Sequence, residues 1–237
     1  MYLRRIIKLP YFIIKNGEYN RQTRRVVKAV LKQNSNCIDI GAHKGKILQL
    51  FIDSAPLGRH WAFEPLPGFY EYLKRKFTNT NVMICAEALS NSSGEAAFQF
   101  VKNSPGYSGF KKRIYHIPLP SVQCIKVKKT KLDSVIPADV KIDCIKLDVE
   151  GAELEVLIGA EETIKRNRPV IIFEHGKGAA PFYGTTPDAV FDFLASCGLQ
   201  ITTMKNWLAN KPSLSREEFS VQFHKEKNYY FIAYPVQ

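Results

Sequence analysis

The stretch Asn36 to Lys46, reading Asn-Cys-Ile-Asp-Ile-Gly-Ala-His-Lys-Gly-Lys, limits the fold more than any other part of the chain. Its apolar run Cys37–Ile40 stops at Gly41, and after Gly45 the residues Ile47, Leu48, Leu50 and Phe51 recur at helical spacing. The pattern is a strand, a glycine turn and a helix. Glycine at such a turn can take positive φ and lets a ligand approach the backbone, while the first helical turn offers N–H groups to an anion. The unit suits a small ligand.

Spacing narrows the ligand. A dinucleotide fingerprint needs Gly-x-Gly-x-x-Gly, whereas Gly41 and Gly45 give Gly-x-x-x-Gly, with Ala42 and His43 inside the turn. Asp39, near the strand end, would repel a pyrophosphate; it either attracts the ammonium or sulfonium of S-adenosylmethionine (SAM) or orders the turn through backbone N–H groups. Glu64 ends the next strand, His60–Phe63, where a carboxylate can accept both hydroxyls of a ribose. The alternative for this pair is a turn cap and a solvated loop acid.

From Cys37 onward strands and helices alternate: helix Lys46–Asp53, strand His60–Phe63, helix Gly68–Phe77, strand Val82–Ala86. This is the βα repeat of a doubly wound, largely parallel sheet, whose ligand crevice lies at the carboxyl ends of the strands. Asp39, Glu64 and Glu87, with Ala88 beside it, fall on that edge, and Glu87 is placed as a neighbour of a bound adenine. Residues 94–133 break the alternation with two strands, Glu95–Val101 and Val122–Lys129. The intervening Asn103–Pro120 is long enough to be an acceptor-binding loop or a disordered excursion.

A second acidic edge follows. The buried-type strand through Ile145-Lys146-Leu147 ends in Asp148-Val149-Glu150-Gly151, and a helix with Leu154, Leu157, Ile158 and Ile164 on one side comes after it. Period-2 alternation puts Lys146 on the face of Asp148, and a lysine in an apolar strand requires a carboxylate partner. The strand Val170–Phe173 ends in Glu174-His175, so His175 is a candidate general base, with Glu174 or Asp148 orienting it. A histidine bonded locally in a loop is the other reading. Glu150 and Glu153 complement a helix N-terminus.

Composition matters mainly through charge. The 237 residues, 45% hydrophobic, suffice for one large domain or two small ones, and a net charge of +12 favours anionic partners. Residues 1–35 interleave Arg4, Arg5, Lys8 and Lys15 with Ile6-Ile7 and Tyr11–Ile14, a mixture suited either to an anionic membrane surface or to a helical cap or lid on the domain beginning at residue 36. Pro10 and Gly17 are expected to break any single long helix there. No nucleic-acid module signature accompanies the basic residues. Five cysteines without a Cys-x-x-Cys pair read as buried thiols of a reducing compartment, so the expected location is cytoplasmic or membrane-peripheral.

Taken in order and spacing, Asp39-Ile-Gly-Ala-His-Lys-Gly45, Phe63-Glu-Pro-Leu-Pro67, Glu87-Ala-Leu-Ser90, Thr130-Lys-Leu-Asp133 and Ile145-Lys-Leu-Asp-Val-Glu-Gly-Ala-Glu153 resemble the FkbM family of SAM-dependent methyltransferases. The resemblance runs from about residue 36 to residue 175. It implies an α/β, Rossmann-like class I methyltransferase fold over 36–237, with a mostly parallel seven-stranded sheet, an antiparallel last strand and helices on both faces. It implies SAM as methyl donor, held by Asp39, Gly41, His43, Gly45 and Glu64. It also implies O-methylation of a small-molecule, sugar or glycan hydroxyl. The family usually shows asparagine at His43. His175 or Asp148 would serve as base, with Lys146 stabilising a developing alkoxide or fixing a carboxylate; a metal held by Asp148, Glu174 and His175 is a variant. The competing classes are a non-catalytic SAM-fold protein that binds an anionic glycan or membrane surface, and an NAD-dependent dehydrogenase, which the glycine spacing disfavours.

Overall fold

A computed structural model describes residues 3–236, with side chains from residue 14 onward. In chain order the elements begin with helix α1 (Leu3–Val30), strand β1 (Cys37–Ile40), α2 (Lys46–Ser54), β2 (His60–Phe63), α3 (Pro67–Lys76) and β3 (Val82–Cys85). Three strands follow outside the alternation: β4 (Ala88–Leu89), β5 (Gly94–Val101) and β6 (Val122–Thr130). The chain then returns through β7 (Cys144–Leu147), α4 (Glu153–Ile158), α5 (Glu161–Asn167) and β8 (Val170–Glu174). It closes with α6 (Pro187–Ser196), β9 (Leu199–Thr202), α7 (Met204–Leu208), α8 (Arg216–His224) and β10 (Tyr230–Pro235).

Seven strands form one sheet in the order β3-β2-β1-β7-β8-β10-β9, and β4-β6-β5 form a second. β1 runs parallel to β2 and β7, and β7 parallel to β8, whereas β10 is antiparallel to both β8 and β9. The chain's last strand is thus the antiparallel one, as expected. The order reverses between β1 and β7, so their carboxyl ends frame a crevice.

The two faces of this sheet bury different sets. Ile38, Ile40, Ile145, Leu147, Ile171, Phe173 and Phe231 face one core with α4, α6 and α8. Cys37, Cys144, Ile172 and Ile232 face the other, against Val26 and Val27 of α1, Phe51 of α2 and Met204 of α7. Burying Val26, Val27 and Tyr19 anchors α1, and this corrects the expected break: one helix runs through both Pro10 and Gly17. A helical glycine costs only about 1 kcal/mol, well below the roughly 1.5–3 kcal/mol per buried large side chain. The side chains of Arg4, Arg5, Lys8 and their apolar neighbours up to Ile13 lie outside the described residues.

Two further expectations change. The single helix after Asp148 is two, α4 and α5, because Gly159 lets the backbone pass Ser90; a Cβ there would sit 2.1 Å from the Ser90 carbonyl oxygen. Asp133 then starts α5 by accepting the Glu162 and Thr163 N–H groups at 3.1 and 2.8 Å. All five cysteines are free, but Cys124 is exposed and Cys85 only half-buried. Among the described residues no helix is long and apolar enough to cross a membrane.

Candidate active site

The glycine turn is held by its neighbours. Gly41 (φ +78) and Ala42 both donate to the Phe63 carbonyl, at 3.0 and 3.1 Å, and a Cβ on Gly41 would lie 2.0 Å from the Asp148 carbonyl oxygen. Only glycine fits between β1 and β7 at that point. Gly45 (φ +69) caps α2, where a Cβ would meet the Phe77 ring at 2.4 Å and Leu73 at 2.7 Å. Ala42 is buried in the small core of Leu48, Ala62, Leu73 and Phe77.

Asp39 is buried beneath this turn and accepts the Leu48 N–H of α2 at 3.0 Å. Burial pushes its carboxyl up to about 7, against the pull of Lys146 and the Leu48 N–H. Of the two readings of Asp39, the geometry realises the one in which it orders the turn. Asp39, Ala42 and Gly45 therefore support the site from below and do not line the cleft, a correction to their expected contact with the cofactor. Of the N–H groups in the first turn of α2, that of Leu48 is taken by the protein's own carboxylate.

The cleft itself, about 590 Å³ including its open mouth, is lined by Gly41, His43, Glu64, Glu87 and Ala88 among the anticipated residues. Each oxygen of Glu64 receives a backbone N–H: Oε2 from His43 at 2.8 Å and Oε1 from Leu66 at 2.9 Å. Burial raises its pKa while those two donors oppose the rise. His43 sits in the left-handed region (φ 49), where asparagine and histidine are enriched, so the two residues are exchangeable here on backbone grounds. Its ring lies 4.2 Å from that of Phe69, and burial, with Lys44 nearby, keeps the imidazole neutral. Leu89, Phe98 and Phe110 make the apolar wall.

At the β7 side the cleft ends in acids. Asp148 and Glu150 line it, and with Glu174 their carboxylate oxygens lie within 4.8 Å of one another. Lys146 Nζ stands 3.3 Å from Asp148 Oδ2 and 3.5 Å from the Tyr230 hydroxyl, which itself donates to Asp148. Burial works to raise Asp148, yet Lys146 and the bonds from Glu174 and Tyr230 hold it below the usual carboxylate range. Burial and the charges of Asp148 and Glu150 push Glu174 well up, so it carries the proton of the pair. Glu150 (φ 61) is bound by Arg113. Three carboxylates this close can also take a divalent cation, although Lys146 and Arg113 already balance much of their charge.

His175 is corrected. Adjacent strand residues point to opposite faces, so Glu174 reaches the acid cluster while His175 turns into the other core. Its ring is fully buried, 4.7 Å from that of Phe223 and 5.9 Å from that of Phe219, with neither nitrogen hydrogen-bonded. Burial depresses its pKa to about 4. It neither reaches the cleft nor joins a metal-ligand set, and Glu150 stands beside Asp148 and Glu174 instead.

Several site residues were missed. Tyr230 pairs directly with Glu174 in the β8–β10 ladder, so the two share a face; the signal was the ladder register, which needs the sheet order. Arg113, from the 103–120 loop, is buried and reaches Glu150, the Gly178 carbonyl (3.2 Å) and the Tyr107 carbonyl (3.3 Å), with the rings of Tyr107 and Tyr115 at 5.1 and 5.8 Å. That loop is folded over the cleft, where Pro105, Gly106, Ser108 and Phe110 line it. Glu153 accepts the Val149 and Gly151 N–H groups, both at 3.1 Å, and fixes the turn that presents Asp148 and Glu150.

These groups fit SAM. Glu64 keeps lone pairs for a ribose diol on oxygens already fixed in place, and the apolar wall of Leu89, Phe98 and Phe110 suits a base. Residues 39–201 match the family model of the methyltransferase FkbM domain. Over 164 residues the chain is 27% identical to methyltransferase sdnD of Sordaria araneosa, the aligned part covering 56% of this chain and 63% of that protein. Its fold is similar to that of methyltransferase FkbM from Methylobacillus flagellatus KT, with a TM-score of 0.54 at 16% identity, over 87% of this chain and 45% of that one. It is also similar to a proposed rRNA methylase from Clostridium thermocellum, with a TM-score of 0.50 at 11% identity, over 91% and 95% of the two chains. The chain thus spans less than two thirds of the sdnD protein and less than half of the M. flagellatus one.

Proposed function

The chain belongs to the FkbM family of methyltransferases, and on that premise we propose that it methylates a hydroxyl oxygen of a sugar, glycan or related natural product, with SAM as donor. When bound, SAM supplies a methyl group made electrophilic by its sulfonium. Glu64 would hold the ribose, Glu87 and Ala88 the base, and the backbone of Gly41 and His43 the amino-acid end.

The observation that carries the oxygen-acceptor reading is the Asp148, Lys146 and Tyr230 group at the acid end of the cleft. An ionised Asp148 can accept the hydrogen of an acceptor hydroxyl and so turn the oxygen lone pair into the cleft. Lys146 and Tyr230 keep that carboxylate ionised and fixed in direction. As the hydroxyl gives up its proton, Asp148 receives it, a role worth about 10²–10⁴-fold in rate. Holding the two reactants in line accounts for most of the remaining acceleration.

The test is transfer of a labelled methyl group to a panel of sugars, glycans and hydroxylated small molecules, with amines and thiols as comparators. Product digestion then locates the label. Methyl ethers formed by the wild type and lost in Asp148→Asn support the reading. Label found only on nitrogen, carbon or sulfur overturns it.

A further inference from the structure

Helix α1 crosses the sheet from edge to edge. Its last turn leads through residues 31–36 into the amino end of β1, whereas Lys15 donates to the Lys227 carbonyl and Tyr19 sets its ring 5.1 Å from that of Tyr230, beside the acid cluster. The helix therefore continues past the carboxyl edge of the sheet, the edge that holds the cleft. From Leu3 to Ile14 this extension is about 17 Å at 1.5 Å per residue. In sequence it carries Arg4, Arg5 and Lys8, no acid, and otherwise apolar residues. Ile14 is 72% exposed.

The same edge has a continuous rim. The Lys111 N–H donates to the Tyr183 hydroxyl at 3.2 Å, Arg113 to the Gly178 carbonyl, Lys177 to the His224 carbonyl at 2.7 Å, and Lys15 to the Lys227 carbonyl. Four segments distant in sequence are joined in this way around the cleft. On the rim Ile114 is 62% and Phe182 39% exposed, beside exposed Lys111, Lys112, Lys177, Lys225 and Lys227. Glu18 lies in α1 and Glu226 in the 225–227 turn.

We propose that this rim and the extension of α1 dock on the surface of a bilayer containing anionic lipid, so that the cleft opens toward the headgroups. Lysines alone would fit any polyanion. Isoleucine and phenylalanine side chains exposed among them find a favourable environment at the headgroup–acyl boundary, where apolar and cationic groups are accommodated together, but not on a phosphate backbone. The attachment is peripheral, and it weakens with salt.

The experiment is co-sedimentation of the full chain with vesicles of phosphatidylcholine alone or mixed with phosphatidylglycerol, at low and high salt. Arg4→Glu with Arg5→Glu, Ile14→Glu, and Lys111→Glu with Lys112→Glu test the docking face. Lys28→Glu with Lys32→Glu, exposed near the opposite edge, is the control that matches the two double variants in charge change. Circular dichroism confirms that each variant is folded. Docking predicts binding to the mixed vesicles only, reduced at least tenfold by each rim variant and less than twofold by the control. Absence of binding to mixed vesicles, binding unaffected by the rim changes, an equal loss in the control, or equally strong competition by a short DNA duplex overturns it. None of these readings depends on methyl transfer.

Discussion

The hydroxyl of Tyr230 donates to Oδ2 of Asp148 across the intervening strand β8, joining the chain's last strand to the acid end of the cleft. The contact matters because Asp148 is the carboxylate kept ionised while Glu174, its neighbour, is kept protonated. Tyr230→Phe removes one donor and lets the Asp148 pKa rise. Activity that requires the ionised form is then lost at a higher pH, so the acid limb of the kcat/KM profile moves up. A hydrogen bond to a charged group is worth about 1.5–3 kcal/mol, which corresponds to a fall in kcat of roughly tenfold or more. SAM affinity, measured by calorimetry, stays within about twofold because Tyr230 is not among the cleft-lining residues.

Arg113 fastens the 103–120 loop to Glu150 and to the carbonyl of Gly178. Arg113→Met leaves the Glu150 carboxylate without its cation and frees the loop. Removing one partner of a buried pair costs about 3–5 kcal/mol when the other stays charged; here Glu150, already raised by burial, takes up a proton instead and the loss is smaller. The expected signs are faster tryptic cleavage at Lys111 and Lys112 and a raised KM for SAM. Cleavage at the wild-type rate would show that the loop is held by other contacts.

His175 makes stability depend on pH. Its unfolded pKa is near 6.5 and its folded value about 4, so the unfolded chain binds the extra proton first. Stability is therefore fully present above the unfolded value and declines as pH falls from 6.5 toward 4, by on the order of 3 kcal/mol. His175→Leu also removes two buried nitrogens that lack partners, so it keeps or raises stability at pH 7 and flattens this part of the pH curve. Urea unfolding at a series of pH values measures both effects, and methyl transfer in this variant is expected to persist.

Much of this architecture is readable from residue patterns. β1 and β2 fall at their expected bounds because each is a short apolar run cut off by a turn signal, whereas the antiparallel ending was expected from the family resemblance and not from residue patterns. What could not be read is lateral. Whether Tyr230 meets Glu174, or Arg113 reaches Glu150, depends on which strands are neighbours and how the 103–120 loop folds back. The His175 expectation failed for a different reason: period-2 alternation, which relates Lys146 to Asp148, separates Glu174 from His175 by the same rule. α8 was not anticipated, although Ser215 and Glu218, three residues apart, form a capping box that marks its start.

Gly41→Ala tests the backbone argument. The added Cβ would enter the space of the Asp148 carbonyl at 2.0 Å, on a residue with φ +78. β1 and β7 must separate, so a loss of at least about 2 kcal/mol in unfolding free energy is expected, with SAM affinity falling as the turn shifts. An alanine variant of wild-type stability would mean that the two strands part without cost.

The central claim is that SAM occupies the cleft bounded by Gly41, Glu64 and Glu87, and calorimetric titration of SAM and S-adenosylhomocysteine into the wild type and Glu64→Gln tests it most directly. The amide can still accept the His43 or Leu66 N–H through its oxygen but cannot accept both ribose hydroxyls as the carboxylate does. The account predicts saturable binding to the wild type and at least tenfold weaker binding to the folded variant, the loss of one charge-assisted hydrogen bond. No binding of either ligand to the wild type, or equal affinity in both proteins, would contradict it.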